Sequence, residues 1–395
     1  MTVAIIVVNW NAGELLRRCL EAIGHQRRRP DHVIIVDNAS TDDSLARVSD
    51  LLTSVEVVRL ETNVGFAAAN NVAARRATAF DGLVLLNPDA FPEPGWLEAL
   101  VGAAERHPSF GSFASQIRFS ASPDQLDGAG DSYHVSGRAW RNGHGSPTAE
   151  GSREAVEVFA ACAAAALYQR SAFEEAHGFD ESYFCYFEDV DLGFRLRLRG
   201  YRCLYVPDAV VRHVSSATSG YRSDFSVYHG ERNMVWTFVK DMPGWLFWFY
   251  LPQHLLLNLA ALVYFPRRRQ GRVALRAKLD ALCQLPRVWR QRRVVQAARR
   301  ADIGSLRHAF THGLARPYRG RYTWASATTS AVGYHASTGA ATHDVSDRAE
   351  TPVGRASGQA CSESGPTEDR HIQRVAPPDT RESARARVSD VPHAG

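Results

Sequence analysis

Residues 3–10 read VAIIVVNW, an apolar, largely β-branched run that turns polar at Asn9. Such a run is typical of a strand that is buried on both faces of a parallel sheet. Further strand patterns occur at 32–36, 55–60 and 82–86, and between them the pattern predicts helices at 14–24, 40–52 and 65–78. This alternation of strand and helix predicts a doubly wound, mostly parallel α/β sheet.

The rest of the chain divides into regions of different composition. We expect helices at 95–106 and 189–199 and strands near 111–119, 155–168 and 202–206. Residues 244–265, GWLFWFYLPQHLLLNLAALVYF, carry almost no charge, and 322–395 are rich in Ser, Thr, Ala, Gly and Pro. The predicted domains are therefore a catalytic domain at 1–235, an apolar and then basic helical region at 236–321, and a disordered tail at 322–395.

Charge is distributed unevenly along the chain. Residues 266–321 contain 16 Lys and Arg against two Asp, whereas the remainder contains 30 basic and 40 acidic residues. A basic block of this kind suits an anionic membrane or a nucleic acid. The adjacent 22-residue apolar stretch favours a membrane. Pro252, Gln253, His254 and Asn258 interrupt that stretch, so we expect an interfacial or re-entrant segment, with a buried helix as the alternative.

The cysteines and the first residues favour a reducing compartment. The six cysteines are scattered singly without a CxxC pair, which disfavours a disulfide framework or a zinc cluster. The chain runs directly into its first strand pattern without a charged and then apolar leader. We therefore expect a protein that is not secreted.

Polar residues follow each of the first four predicted strands. In a doubly wound sheet these strand ends form the edge at which ligands bind, although Asn and Asp are also common in turns for local reasons. The four positions together predict a polar crevice. The residues are Asn9 and Asn11, Asp37 and Asn38, Asn63 and Gly65, and Asn87 and Asp89.

No glycine-rich phosphate-binding motif follows the first strand, where the sequence is NWNAG at 9–13. This disfavours dinucleotide oxidoreductases and P-loop enzymes. If a nucleotide binds, a divalent cation could neutralise its diphosphate. Asp89 offers the oxygen ligand that Mg²⁺ or Mn²⁺ prefers.

The densest group of functional residue types is the segment 183–191, YFCYFEDVD, with three carboxylates after an aromatic run. Carboxylates beside aromatic walls can act as general bases, which makes Glu188 or Asp189 a candidate. Asp191 instead fits a structural helix-start residue that pairs with Arg195 at i+4. A lone histidine such as His213 is usually a core or surface residue, so the residues alone do not favour a metal ligand there.

These segments together resemble family 2 glycosyltransferases of the GT-A fold, in particular the bacterial rhamnosyltransferase-like branch. The resemblance covers residues 3 to about 235 and rests on six segments in order. They are VVNWNAGELLRRCLEAI, IIVDNASTDDS, NVGFAAANN, LLNPDA, GFDESYFCYFEDVDLGFRLRLRGYR and VRHVSSATS.

The resemblance implies a role for each matching residue. Asp89 and His213 would hold Mg²⁺ or Mn²⁺, and Asp189, with Glu188 beside it, would be the general base. Asn87 stands where the family usually has the first acid of its DxD motif, so only one carboxylate of that motif would face the metal. The remaining residues would bind the nucleotide sugar together with Asn87 and Asp89: Val8, Asn9, Asp37, Asn63, Gly65 and Asn70.

The resemblance also implies an inverting, metal-dependent transfer in cell-envelope glycan synthesis. The sugar would be rhamnose from dTDP-rhamnose, and the acceptor a lipid-linked glycan or polysaccharide at the cytoplasmic face of the bacterial inner membrane. The chain would be peripheral or monotopic there, on an anionic membrane surface and without nucleic acid. Two alternatives stay open: a galactofuranosyl or hexosyl donor, or a sugar-nucleotide binder without catalysis.

Overall fold

The fold is built on one large mixed sheet with helices on both faces. The computed structural model describes residues 1–52, 55–215 and 222–313, and ten of the twelve strands in those ranges form this sheet. The strands are β1 (Val3–Asn9), β2 (His32–Asp37), β3 (Glu56–Arg59), β4 (Gly82–Leu86), β5 (Ala90–Pro92), β6 (Phe110–Phe119), β7 (Leu126–Ala129), β8 (Asp131–Tyr133), β9 (Ala139–Arg141), β10 (Val156–Val158), β11 (Ala165–Gln169) and β12 (Arg202–His213). The helices are α1 (Glu14–Gly24), α2 (Phe66–Arg76), α3 (Trp96–Arg106), α4 (Arg170–Glu175), α5 (Glu188–Leu198), α6 (Asp224–Asp241), α7 (Gly244–Tyr264), α8 (Gly271–Cys283), α9 (Leu285–Ala297) and α10 (Ile303–Ala309).

The amino-terminal half of the sheet is parallel, in the order β4-β1-β2-β3. Every residue of β1 is buried. Val3, Ile5 and Val7 face one hydrophobic core, and the residues between them face the other core. This alternation shows that helices cover both faces of the sheet. The predicted doubly wound α/β sheet is confirmed.

The second half of the sheet mixes strand directions and brings distant segments together. β11 lies antiparallel between β4 and β6, and β12 runs parallel to β6. The end of β12 also pairs with β5, which places His213 opposite Ala90 and opposite Phe119 of β6. β7 lies along the same end of β6. The carboxyl end of β12 is therefore enclosed by segments around residues 90, 119 and 127.

The predicted helix at 40–52 is wrong, because among the described residues there only a short 3₁₀ helix forms, at Ala46–Val48. Side chains compete for the backbone groups that a helix would use. The Asp42 carboxylate accepts hydrogen bonds from the backbone N–H of Gly13 (2.8 Å) and of Ser44 (3.2 Å). The Asn11 side-chain oxygen accepts one from the N–H of Thr41 (2.7 Å). These bonds tie the segment to the loop after β1.

The predicted single strand at 155–168 is two strands, β10 and β11, which lie at different places in the sheet. The alanine-rich connection between them packs under α5. A Cβ atom at Gly193 of α5 would lie 2.4 Å from the Cβ of Ala160. Small residues on both sides therefore allow α5 to approach this connection closely.

The carboxyl-terminal helices pack on the sheet domain. α6 continues through position 235, the predicted domain boundary. The buried face of α7 consists of Leu246, Phe247, Tyr250, His254 and Leu257. His254 stacks on Phe238 of α6 at 4.0 Å and hydrogen bonds to the carbonyl of Ser136 at 2.7 Å.

One helix among the described residues, Gly244–Arg268 with its 3₁₀ extension, is long and apolar enough to cross a membrane by length and composition. About a quarter of its apolar window is buried in the protein. The predicted disordered tail at 322–395 lies outside the described residues.

Candidate active site

The strand ends of the parallel half meet in one hydrogen-bonded polar edge. Asn9 and Asp37 end neighbouring strands, and the Asn9 side-chain amide donates to the Asp37 carboxylate at 2.9 Å. The same amide lies within hydrogen-bond distance of the hydroxyls of Ser40 and Ser44. Val8 precedes Asn9 and is buried.

The next two strand ends extend this edge. The Asn63 side-chain oxygen accepts hydrogen bonds from the Asn38 amide and from the Gly65 backbone N–H, both at 2.9 Å. Asn70 is buried on α2, where its amide donates to the carbonyl of Phe66 at 2.9 Å. Asn87 is partly exposed at the end of β4. The structure thus joins Asn9, Asp37, Asn63 and Gly65 through hydrogen bonds.

Asp89 and His213 form a buried pair at the end of β12. The Asp89 carboxylate lies 3.1 Å from Nε2 of His213. Nδ1 of His213 faces the carboxylate of Asp127 at 2.7 Å. Asp127 also accepts hydrogen bonds from Arg141 (2.6 Å) and from the hydroxyl of Ser215 (2.6 Å). The histidine ring is therefore fixed between two carboxylates.

These contacts control the protonation of the pair. Burial lowers the pKa of His213, but the hydrogen bonds and charges of Asp127 and Asp89 outweigh it and raise the pKa to about 9. Burial raises the pKa of Asp127, but Arg141, His144 and His213 bring it well below its usual range. Asp127 stays charged, so it holds Nδ1 of His213 and leaves Nε2 directed at Asp89.

The residues present fit a divalent cation that also takes oxygens from a substrate. No group of three or more His, Cys, Asp or Glu suited to a metal occurs in the part of the chain that the structure describes. Asp89 and His213 would supply two ligands once a cation displaces the proton that Nε2 of His213 directs at Asp89, and Mg²⁺-type sites commonly combine few protein ligands with phosphate oxygens. The Asp127–His213 contact is the carboxylate–histidine arrangement that usually supports a metal-bound imidazole.

Glu188 and Asp189 begin α5 at the other side of the site. Burial raises the pKa of Glu188 well above its usual value, and the charge of Asp189 adds to this. Burial also raises the pKa of Asp189, but backbone N–H groups of Ala163 (3.1 Å) and Val190 (2.8 Å) and the charge of Arg141 oppose the shift. The pKa of Glu188 is therefore raised more strongly than that of Asp189, which makes Asp189 the better base candidate of the two.

One loop connects the two sides of the site. The N–H of Ala163 donates to the Asp189 carboxylate at 3.1 Å. The carbonyl of the next residue, Ala164, accepts a hydrogen bond from the N–H of Asn87 at 2.9 Å. Asn87 is two residues from Asp89. The alanine-rich connection between β10 and β11 therefore links the base candidate to the metal candidates.

The segment before Asp189 is held in a strained conformation. Phe184, Tyr186 and Phe187 have φ angles of 66°, 67° and 67°, a region that is costly for side chains of this size. The side-chain nitrogen of Asn233 in α6 lies within hydrogen-bond distance of the carbonyls of Tyr183 (3.0 Å), Cys185 (3.0 Å) and Tyr186 (2.7 Å), which share its two N–H groups. A single buried amide thus fixes the path of the chain into Asp189.

Asp191 has the structural environment expected for it. Its carboxylate is fully buried and pairs with Arg195 (2.7 Å) and Lys240 (2.5 Å). Neither contact leaves it directed at Asp89 or His213. Asp127, Arg141 and Asn233, by contrast, are central to the site although the sequence analysis did not single them out.

Comparisons with known proteins identify the family. The family described as Glycosyl transferase family 2 matches residues 4–176. The N-acetylglucosaminyl-diphospho-decaprenol L-rhamnosyltransferase of Mycobacterium tuberculosis is 30% identical over 264 residues, which covers 61% of this chain and 85% of that protein. The chain belongs to glycosyl transferase family 2. The predicted resemblance is confirmed, and this family 2 member is a glycosyltransferase with a GT-A type domain.

A second relative is also named as a rhamnosyltransferase. The O-antigen chain rhamnosyltransferase RfbN of Salmonella typhimurium is 27% identical over 244 residues and covers 58% of this chain and 70% of its own length. Among solved structures, S. aureus TarS 1-349 in complex with UDP-GlcNAc aligns at 19% identity with a TM-score of 0.48, over 81% of this chain and 92% of that one. The family 2 assignment stands on the sequence matches.

Proposed function

We propose that this glycosyltransferase moves rhamnose from dTDP-rhamnose to a lipid-linked or polysaccharide acceptor, with inversion at the sugar carbon. The observation that carries the mechanism is the link between Asp189 and the Asp89–His213 pair through the loop at 163–164. Two rhamnosyltransferase relatives support the choice of sugar, and their names support a role in cell-envelope glycan synthesis.

The donor would lie along the polar edge formed by the parallel strand ends. Asp37 and Asn9, which are joined by a hydrogen bond, would contact the base together with the neighbouring Val8. Asn63, Gly65 and Asn70 would hold the nucleoside, and Asn87 and Asp89 would lie beside the diphosphate, since ligands of doubly wound sheets bind at these carboxyl ends.

Asp189 acts as the general base in this mechanism. It removes the proton of the acceptor hydroxyl while the hydroxyl oxygen bonds to the anomeric carbon and the bond from that carbon to the diphosphate oxygen breaks. One displacement inverts the configuration. The pKa of Glu188 is raised more strongly than that of Asp189, which supports Asp189 as the acceptor of the proton.

A divalent cation bound by Asp89 and His213, Mg²⁺ or Mn²⁺, would supply Lewis-acid stabilisation of the charge on the leaving diphosphate. The chain's own contribution is to orient these ligands. Asp127 fixes the ring of His213, and Arg141 with Ser215 fixes Asp127.

The exposed face of α7 supports a position at the membrane surface. Trp248, Phe249 and Leu259 are each more than 60% exposed on that face. The opposite face packs on the protein as far as Leu257. Because a helix docked along one face cannot also leave the domain to span a bilayer, we place α7 in the interface.

The basic block adds electrostatic attraction to anionic lipids, beginning at Arg267 and Arg268. We propose the cytoplasmic leaflet of the inner membrane, with a peripheral or monotopic attachment. Extraction with alkaline carbonate separates the two forms of attachment: a peripheral protein is released into the soluble fraction, and retention would show that α7 is embedded in the lipid layer.

A transfer assay tests the proposed reaction. The full chain in detergent, with Mn²⁺ and a GlcNAc-diphospho-lipid acceptor, is expected to use dTDP-rhamnose in preference to UDP-galactofuranose and UDP-GlcNAc. Preference for either of the others would replace the donor but keep the mechanism. Asp189→Asn is expected to lower turnover roughly 100-fold or more while donor affinity stays unchanged. Glu188→Gln is the matched control, and substantial turnover in Asp189→Asn would refute the assignment of the base.

The alternative of a binder without catalysis makes a different prediction. Such a protein would bind dTDP-rhamnose, as measured by a thermal shift, but would neither transfer nor hydrolyse it. The base candidate Asp189 and the oriented Asp89–His213 pair favour catalysis over this alternative.

A further inference from the structure

A cavity of about 980 Å³ leads away from the proposed active site. At its inner end lie Asp127 and His144, together with Tyr186 and Phe187 of the strained segment. Its outer wall is formed by α6, by the last turns of α7 and by the 3₁₀ turn that follows α7 and ends at Arg268. We call this cavity the α7 groove. It begins beside the residues that present Asp189 and ends at the exposed apolar face of α7.

The lining of the α7 groove combines an apolar wall with cationic side chains. The α7 wall is apolar, with Leu257, Ala261 and Tyr264 among its residues. The lining also contains four arginines, Arg138, Arg141, Arg222 and Arg268, against two carboxylates. Both carboxylates already have cationic partners, Asp127 with Arg141 (2.6 Å) and Glu231 with Lys278 (2.6 Å). The groove therefore suits an anion joined to an apolar chain.

The nucleotide half of the donor is not the expected occupant. The residues proposed to bind it lie at the ends of β1 to β4, and none of them lines the α7 groove. The groove instead opens next to the residues preceding the base, where an acceptor hydroxyl must arrive. Its volume is at the upper end of the range for small-molecule sites, which suits a phosphate group with part of an aliphatic chain.

We propose that the α7 groove binds the anchor of the acceptor, with its phosphate or diphosphate among the arginines and its apolar chain along α7. This inference rests on the proposed function and specifies an amphiphilic, lipid-linked acceptor over a free polysaccharide. The chain would leave the groove along α7, on the side of the exposed residues Leu259 and Val263. An acceptor could then remain in the lipid layer while its first sugar reaches Asp189.

Two pairs of variants separate groove binding from general attraction to lipid. Ala261→Trp fills the groove, and Leu259→Trp places the same side chain on the exposed face of the same helix. Arg268→Ala removes a groove cation, and Arg267→Ala removes its exposed neighbour, which does not line the groove. The probe is geranylgeranyl diphosphate, titrated against the full chain in detergent micelles, with geranylgeraniol and inorganic diphosphate as separate arms.

Ala261→Trp and Arg268→Ala are each expected to weaken binding of the probe about tenfold or more, and the two controls to stay within about twofold. Geranylgeraniol and inorganic diphosphate should each bind more weakly than the joined molecule. Equal losses in a variant and its control would overturn the proposal in favour of nonspecific adsorption. No loss in either groove variant would overturn it as well. Binding to phosphatidylglycerol vesicles should fall alike in Arg267→Ala and Arg268→Ala, because it reports surface charge.

Different results would refute the groove assignment and the proposed reaction. A thermal shift with dTDP-rhamnose checks that each variant is folded and binds donor. If the wild type binds the probe in the groove but transfers no sugar, the proposed reaction fails and the groove stands. If the wild type transfers sugar and Ala261→Trp does so with an unchanged KM for the lipid-linked acceptor, the groove assignment fails and the reaction stands.

Discussion

Replacing Asn233 with alanine should disable the enzyme without preventing donor binding. Asn233 is fully buried, and its amide reaches three carbonyls of the segment before Asp189. The two N–H groups of this amide, shared among the three carbonyls, contribute about 2–3 kcal/mol together. The left-handed conformations of Phe184, Tyr186 and Phe187 cost about 1–2 kcal/mol each. The restraint and the strain are of similar size, so loss of the amide should let the segment relax.

Relaxation of the segment should recover part of the lost stability but should lower the activity. Relief of strain should return part of the lost hydrogen-bond energy, so the unfolding free energy should fall by less than about 3 kcal/mol. A shift of about 2–3 kcal/mol towards the relaxed segment corresponds to a loss of about 30–150-fold in turnover, since 1.4 kcal/mol is a factor of ten. Donor affinity should fall much less than turnover, because Asn233 does not contact the polar edge at Asn9 and Asp37 and the segment meets the donor edge only around Gly65.

Val235→Ala provides the stability control. Val235 is buried on the same helix, in the core cluster, and its truncation should cost about 2 kcal/mol without touching the carbonyls of the segment. Turnover, donor affinity and urea unfolding would be measured for both variants at a temperature where each is folded. Equal turnover in the two variants, or a loss of donor affinity that matches the loss of turnover in Asn233→Ala, would refute the reasoning.

Three further outcomes are expected. Asp127→Asn should weaken Mn²⁺ binding about 10–100-fold in the presence of donor, because the His213 ring loses its orienting carboxylate. The same change should lower the pKa of His213 from about 9, as followed by NMR. Unchanged metal affinity would contradict this prediction. EDTA should abolish turnover, Mn²⁺ should restore it, and full activity after chelation would remove the metal from the mechanism. Burial lowers the pKa of His254 to about 4, against about 6.5 when unfolded, so the unfolded chain binds the proton first as pH falls. The unfolding free energy should therefore fall by about 2 kcal/mol between about pH 7 and pH 5, and this slope should shrink in His254→Gln.

The parallel half of the fold could be predicted because its signals are local. β1 is apolar throughout and buried on both faces, so its composition alone indicates its place in the sheet. The helix expected at 40–52 fails because Asp42 and Asn11 capture backbone N–H groups through side-chain contacts across 30 residues. Spacing of apolar residues carries no information about such bonds.

The strand expected at 155–168 fails for a related reason. The apolar residues continue through the alanine-rich connection, so nothing in the composition marks the point where the chain leaves one strand position and enters another. The break is set by contacts with Gly193 of α5 and with Asn87 after β4. Both partners are distant in sequence.

The site residues also divide into those that sequence motifs mark and those that only contacts between distant segments bring into the site. Asp89, Asp189 and His213 stand in motifs, so the resemblance could propose a role for each of them. Asp127 stands in a short LDGA strand with no distinctive spacing, and its contact with His213 exists because β7 pairs with β6 beside β12. Asn233 is one polar residue in an ordinary helix, and its function depends on a segment 50 residues away.

Gly65 connects the edge proposed for the donor with the strained segment before Asp189. It has a φ angle of 86°, and a Cβ atom there would lie 2.6 Å from the Phe184 ring. The carbonyl of Phe184 also accepts a hydrogen bond from the N–H of Ala67 at 3.2 Å. The edge proposed for the donor thus contacts the same strained segment that Asn233 holds from the other side. A side chain at position 65 would therefore displace the backbone that leads into Asp189, although position 65 is far from it in sequence. A donor in contact with Gly65 would press on the same backbone.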